Sequence, residues 1–349
     1  ERSERGNTNA ELLSVTMNDG VKRRIDIEGK DISSEDKSNY KSVYIGDMVY
    51  NSMRMWQGAN GISNYDGIVS PAYTVMFPRI ELCNNFIGYL FKYEPLIFLF
   101  RRYSQGLTSD TWNLKYPQIK QLSILIPSLP EQEKIASFLT LIDKKIEKQK
   151  ELVELLKKYK RGLLSQIFSQ KLRFKDDNGN DYPEWKETRL EKILKIKHGK
   201  SQKGIECEAG KYPILATGGQ IGRTNSYLWN KPCVLIGRKG TIDKPQYMET
   251  PFWTVDTLFY SEVFKENNAK YLYYLFNTIN WKKYDESTGV PSLSAKTIER
   301  IKVTLSMNSS EQHLISKFLS KFDDKIRREE SLLNYLQTYK KGLLQQLFI

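Results

Sequence analysis

Two long stretches of the chain place apolar residues at spacings of three and four. In the first, Ile135, Phe138, Leu139, Ile142, Ile146, Leu152, Leu156, Tyr159 and Leu163 fall on one stripe, with charged residues elsewhere. In the second, Ile315, Phe318, Leu319, Phe322, Ile326, Leu332, Leu336, Tyr339 and Leu343 do the same. That period predicts two amphipathic helices, each needing a partner for its apolar face. Neither stretch contains proline, and Ser128 with Pro130, or Ser309 with Ser310, supplies a start signal. Residues 131–168 and 311–348 align without a gap, 180 residues apart, with 17 of 38 positions identical. The repeat predicts two copies of one unit, with Ile135, Phe138, Ile142, Leu152 and Leu156 of one helix forming a seam with Ile315, Phe318, Phe322, Leu332 and Leu336 of the other. Two similar halves imply a pseudo-twofold arrangement, in which helices about 57 Å long pack antiparallel.

Outside the helices the pattern changes to short alternating or β-branched runs, at 41–50, 68–77, 232–236, 253–260 and 301–305, punctuated by Gly, Pro and Asn. Both strand-rich regions end alike: Ser104, Gly106, Leu114 and Ile119 match Ser287, Gly289, Leu293 and Ile298. The expected organisation is an α+β domain over 1–130, a long helix over 131–170, a polar linker over 171–182, a second domain over 183–310 and a second helix over 311–349. The second domain opens on Trp185, Leu190 and Ile193, and the sequence starts at Glu1 with nothing comparable before it. The first domain is therefore expected to be incomplete at its N-terminus.

Composition narrows the chemistry. The chain has 349 residues, 54 Lys and Arg against 41 Asp and Glu, and a net charge of +13. That surplus favours an acidic partner such as nucleic acid. The longest uncharged apolar run, 95–100, is far short of the roughly 20 residues that cross a bilayer, so no membrane span is expected. Three scattered cysteines without a C-x-x-C pair offer neither a disulfide framework nor a zinc site, and suit a reducing, cytoplasmic setting.

Motifs for catalysis are incomplete. Gly199-Lys200-Ser201 resembles the end of a phosphate loop, but Leu194 stands where glycine is required. Ser70-Pro71-Ala72-Tyr73 resembles the tetrapeptide of amino-methyltransferases, yet lacks its second proline and any F-x-G-x-G cofactor loop upstream, so a strand-end turn is expected there. His198 reads as a loop residue, and His313 is matched by Glu133 in the other helix, so no shared role follows. Basic residues mixed with aromatics, glutamine and glycine recur in both domains instead. Lys22, Arg23, Arg24, Arg54, Trp56, Gln57 and Tyr65 form the first candidate set; Lys200, Ser201, Lys203, Gln220, Arg223, Arg238 and Lys239 form the second. Lysine and arginine pair with phosphates, and the forked groups of Arg and Gln match base edges. Lys157, Lys158, Lys160 and Arg161, mirrored by Lys340 and Lys341, are expected to complement the helix dipole.

The domain–helix–domain–helix order resembles the specificity subunit of type I restriction–modification enzymes. The residues that carry the resemblance are the boundary Ile126-Pro127-Ser128-Leu129-Pro130-Glu131-Gln132-Glu133-Lys134-Ile135, the helix end from Tyr159 to Phe168, and the stretch from Leu172-Arg173-Phe174 through Tyr182-Pro183-Glu184-Trp185. The resemblance implies two target-recognition domains reading the halves of a bipartite site in double-stranded DNA, with no enzymatic activity and no cofactor in this chain. It implies two modification subunits using S-adenosylmethionine, and restriction subunits using ATP and magnesium. The acidic helix residues Glu147, Glu151, Glu154, Glu329 and Glu330 are expected to face the modification subunits. Two other classes stay open at this point: a protein-binding coiled-coil scaffold, and the target domain of an adenine methyltransferase.

Overall fold

The computed structural model describes residues 1–17, 19–31 and 33–348; Ile349, the last residue of the expected second helix, lies outside them. The chain divides into two compact units, and the cut falls inside both long helices: residues 1–151 with 331–349 form one unit, residues 152–330 the other.

In the first unit, β1 (Leu13–Thr16) and β2 (Gly20–Arg23) form a hairpin. β3 (Lys41–Val43) pairs with β6 (Gly67–Val69), and β4 (Met48–Asn51) is the centre of a three-stranded antiparallel sheet between β5 (Asn60–Ile62) and β7 (Tyr73–Met76). Three helices follow: α1 (Asn84–Leu90), α2 (Glu94–Tyr103) and α3 (Tyr116–Ile119). The run expected over 41–50 is two strands, because the chain turns at Tyr44–Asp47, with Asp47 N–H on the Tyr44 carbonyl and Gly46 at φ 90°. The run over 68–77 is likewise divided, by a turn in which Tyr73 N–H donates to the Ser70 carbonyl at 2.9 Å. Met48, Tyr50, Phe86, Phe100 and Leu114 form a core shared with Ala136 of α4 (Leu129–Phe168).

In the second unit, β8 (Lys186–Arg189) pairs antiparallel with β16 (Lys302–Leu305). β9 (Leu194–Lys197), β12 (Cys233–Gly237), β13 (Gln246–Met248) and β15 (Leu258–Val263) form a sheet ordered β13-β12-β15-β9. β10 (Tyr212–Ala216) lies between β11 (Gly219–Thr224) and β14 (Trp253–Thr254). α5 (Ala269–Phe276) is capped by the Asn268 side chain, which accepts from Tyr271 N–H, and α6 (Ala295–Arg300) by Ser294 in the same way. The core joins Ile236, Phe259, Tyr271, Trp281 and Leu305 to Ile167 of α4 and Ile315 of α7 (Ser309–Leu347).

The starts of α4 and α7 are 180 residues apart, the interval of the sequence repeat. In the second unit Tyr159 packs on Phe322 with ring centroids 5.7 Å apart, Lys160 pairs with Asp323, and Lys157 pairs with Glu330 at 3.0 Å. In the first unit Asp143 pairs with Lys340 at 2.5 Å, and Phe348 packs into the core that holds Ala136. As α4 numbers rise, α7 numbers fall, so in each unit the helices run antiparallel.

The seam is not the expected one throughout. Ile315 and Leu336 are buried with Leu156, and Ile135, Ile142, Phe318 and Phe322 are half-buried. Phe138, Leu152 and Leu332, however, are 44%, 37% and 41% exposed. The buried line instead passes through Leu139, Ile146, Val153 and Leu163 on α4 and Leu319, Ile326 and Leu344 on α7. Each helix packs on a strand-rich domain as well as on the other helix, so its apolar arc is broad, and a 3.6-residue period does not mark which flank turns inward. The basic residues expected at the helix dipole also have another role, since Lys160 and Lys340 reach across to carboxylates of the opposite helix.

Candidate nucleic-acid interface

In the second unit the strand β12 ends at Gly237, where a Cβ would stand 2.3 Å from the Thr241 carbonyl oxygen. Only glycine lets the chain fold back there. The turn that follows is held from two sides: Arg238 N–H donates to the Thr257 carbonyl (2.8 Å), Leu293 N–H donates to the Arg238 carbonyl (2.9 Å), and Gly240 N–H donates to the Pro291 carbonyl (2.8 Å). This framing leaves Lys239 exposed and the Arg238 guanidinium beside Asp256, donating to its carbonyl at 3.3 Å and 3.6 Å from its carboxylate. A cleft of about 430 Å³ opens alongside, lined by His198, Arg238, Lys239, Glu286 and Lys296. His198 stands edge-on to Phe259 with centroids 4.9 Å apart. Beside it, Lys200 N–H donates to the Thr254 carbonyl (2.8 Å) and Trp253 Nε1 to the Lys200 carbonyl (2.9 Å), so the backbone is pinned while the Lys200 side chain is exposed.

The remaining candidates of this unit divide. Ser201 Oγ accepts from Lys203 N–H at 3.3 Å, and Lys203 and Gln220 are exposed. Arg223 holds a neighbouring loop: Nε donates to the Gly210 carbonyl (2.6 Å) and an NH2 group to the Lys211 carbonyl (3.0 Å). Arg223 thus clamps this loop while remaining exposed.

The first unit builds the same frame. β4 ends at Asn51, and Leu114 N–H donates to the Ser52 carbonyl (2.8 Å), as Leu293 does to Arg238. The short turn Met55–Gln57 then buries Met55 and presents Arg54, whose guanidinium donates to Gln57 Oε1 at 3.3 Å. Trp56 meets Trp112 edge to face with centroids 5.1 Å apart, and the Arg101 guanidinium lies 5.2 Å above the Trp112 ring. Trp112 and Arg101 thus join the Arg54, Trp56 and Gln57 group, and sequence reasoning missed both. The only signal was a lone tryptophan in a polar loop. Lys92 braces the turn from behind, donating to the Gly58 carbonyl (2.6 Å) and the Met17 carbonyl (3.0 Å).

Lys22, Arg23 and Arg24 belong to a different part of this unit, on and just after β2. Arg23 lies over Tyr65 at 4.8 Å and pairs with Glu11 at 3.1 Å. Arg24 donates to the carbonyls of Ile27, Gly29 and Lys30, which makes it a loop clamp like Arg223. Among the described residues this group shares no hydrogen bond, ion pair or ring contact with the Arg54 group.

A family model for the type I restriction modification DNA specificity domain matches residues 14–157 and again residues 182–338. The chain belongs to that family. As a member of the specificity family it carries two such domains in tandem, each running from a strand-rich region into a long helix. It is 29% identical over 150 residues to the type I restriction enzyme MjaIX specificity subunit of Methanocaldococcus jannaschii, a match covering 40% of this chain and 34% of that protein. A type I restriction enzyme MjaX specificity subunit of the same organism, whose own assignment is provisional, is 24% identical over 353 residues, covering 91% of this chain and 81% of that one. The crystal structure of a type I restriction-modification system S subunit from M. genitalium has the same fold, with a TM-score of 0.60 at 21% identity over 91% of this chain and 87% of that one. Among the described residues no helix is long and apolar enough to cross a membrane.

Proposed function

We propose that this chain is the non-catalytic DNA-reading subunit of a type I restriction–modification complex, with each domain reading one half of a bipartite site. Duplication carries the reading. The family match recurs in both halves, and each half carries basic residues at or just after a backbone position held by a leucine N–H, Ser52 by Leu114 in one and Arg238 by Leu293 in the other. Arg54 with Gln57, and Arg238 with Lys239, supply the forked and point-charge donors that base edges and phosphates accept. Trp56 and Trp112 add flat apolar surface beside them.

The helices are the spacer in this proposal. Elements of 40 and 39 residues are each about 60 Å long, longer than the roughly 34–36 Å of one turn of B-DNA. An exposed stripe repeats on them: Leu152, Leu155 and Tyr159 in one unit, Leu332, Tyr335 and Tyr339 in the other. These stripes, flanked by the acidic residues, are assigned here to two modification subunits packing helix on helix. S-adenosylmethionine would act on those subunits, and ATP with magnesium on the restriction subunits, all in the cytoplasm.

Titrating the chain with duplex DNA over a range of salt tests the reading. Affinity should fall steeply and linearly in log–log form as phosphate-bound counterions are released. Salt-insensitive binding would favour a protein scaffold, and binding of S-adenosylmethionine by the chain alone would overturn the non-catalytic assignment.

A further inference from the structure

The cleft beside the Arg238 turn does not end there. His198, Ala295 and Lys296 of its lining also line a second cleft, of about 640 Å³, between β9 and α6. The two make one groove that runs from Arg238 and Lys239, past Lys296, to Lys195 and Arg300. Its walls are tied together: Ile196 N–H of β9 donates to the Glu299 carboxylate of α6 at 2.8 Å, and Leu190 N–H donates to the Ile301 carbonyl at 3.0 Å. On β9, Leu194 and Ile196 are buried, so strand alternation turns Lys195 outward. On α6, Ile298 is buried, while Lys296 and Arg300, four residues apart, share an exposed face.

Six lysines and arginines line the groove against three glutamates. The glutamates are engaged elsewhere. Glu299 accepts from Ile196 N–H, Glu286 from the Thr297 hydroxyl, and Glu191 pairs with Arg189 at 3.6 Å. Glu262, opposite Lys195 across the strands, pairs with Lys197 at 3.0 Å instead. Lys195, Lys239, Lys296 and Arg300 are exposed and, among the described residues, form no ion pair. A row of like charges with no partner of its own attracts an extended anion. The apolar lining residues Phe259 and Leu293 are buried, so the groove lacks the apolar centre of a protein interface.

We propose that this groove is a phosphate track, in which Lys195, Lys296 and Arg300 hold the DNA backbone flanking the half-site at the Arg238 turn without reading its bases. The track rests on the DNA-reading assignment and adds to it side chains that carry affinity but no sequence preference. From Lys296 to Arg300 the helix rises about 6 Å, and one strand of B-DNA carries a phosphate about every 3.4 Å along its axis. One face of α6 therefore spans about two phosphates, with Lys195 beside it on β9. Such contacts fix the register in which the Arg238 turn meets base edges.

Titrations of the full chain over a range of salt test the track, with two duplexes: one of mixed sequence, and one carrying the site that the reconstituted complex methylates. Lys195→Ala, Lys296→Ala and Arg300→Ala combined should weaken binding to both by a similar factor, about tenfold or more. The slope of log affinity against log salt should fall by about 0.9 for each cation removed. All three positions are exposed, so the melting temperature should hold. The charge-keeping set Lys195→Arg, Lys296→Arg and Arg300→Lys should bind as the natural chain does. Steep salt dependence in the natural chain with an unchanged slope in the alanine variant overturns the track and leaves the DNA-reading assignment standing. Loss confined to the methylated-site duplex overturns it too, because those side chains would then read bases. Loss of modification-subunit binding with DNA affinity intact would give the groove to an acidic protein surface, and overturns it equally. If the natural chain binds neither duplex, the assignment itself falls and the track with it.

Discussion

Lys340 of α7 pairs with Asp143 of α4 at 2.5 Å, and Tyr89 donates to the same carboxylate at 2.8 Å, with the ammonium 5.3 Å from the tyrosine ring centre. The second unit repeats the group with the helices exchanged: Lys160 of α4 pairs with Asp323 of α7, Tyr274 donates to that carboxylate, and the ammonium lies 5.2 Å from its ring. One helix gives the acid and the other the base, and the strand-rich domain gives the phenol. Antiparallel packing of identical repeats generates this exchange. Asp143→Asn should lower stability by about 1 kcal/mol, because it weakens the ion pair to Lys340 and the hydrogen bond of the half-buried Tyr89 phenol, which keeps Thr140 as its other partner. Asp323→Asn should act similarly, and combining either with loss of its lysine should cost less than the sum, as thermal melts of a double-mutant cycle would show.

Arginines that look alike in sequence should separate by phenotype. Arg54 lies two residues beyond the Ser52 carbonyl that Leu114 holds, and Arg238 is the residue that Leu293 holds, so Arg54→Ala and Arg238→Ala should each weaken binding by about 1–3 kcal/mol at one half-site, a larger effect than on stability. Arg24 and Arg223 hold backbone carbonyls, so alanine there should lower the melting temperature first. Titrations with duplexes altered in either half distinguish the two outcomes, and equal loss on both halves after Arg238→Ala would refute the assignment.

Spacing should follow helix length. Adding about two turns (~7 residues) to each helix, after Glu151 and Glu330, lengthens each rod by about 10 Å. At about 3.4 Å per base pair the unread gap should grow by about three base pairs, with both half-sequences unchanged. The recognised sequences of the variant provide the check; altered half-sequences would count against a spacer role.

Alkaline pH should act in two opposed directions. Burial, and then the charge of Lys340, pulls the Lys92 ammonium from 10.5 down to about 8. Between those values the unfolded chain holds the extra proton, so stability should rise with pH. Burial raises the phenols of Tyr50, Tyr89, Tyr271 and Tyr274 above the usual 10.0. Above that value the unfolded chain ionises first, and stability should fall. Melting temperatures from pH 8 upward should therefore pass through a maximum, and Lys92→Met should flatten the rise. An unchanged rise in the variant would remove Lys92 as its cause.

The helices were legible because a repeated 3.6-residue period over forty residues has no other reading. Their inward line was less so: Phe138 and Leu139 are adjacent, and only packing decides that Leu139 is buried. Residue types of the interface were legible too, whereas availability was not. Arg223 and Arg238 stand fifteen positions apart in similar glycine-rich settings, and only the fold brings the Gly210 and Lys211 carbonyls to the first. Trp112 and Arg101 escaped notice because their relation to Trp56 is tertiary.

The most direct measurement is single-molecule sequencing of DNA methylated by the reconstituted complex, with the natural chain and with Arg238→Ala. Two short sequences separated by an unread gap are expected, with the substitution relaxing only one of them. A single contiguous sequence, or a change in both halves, would contradict two separate readers on one chain.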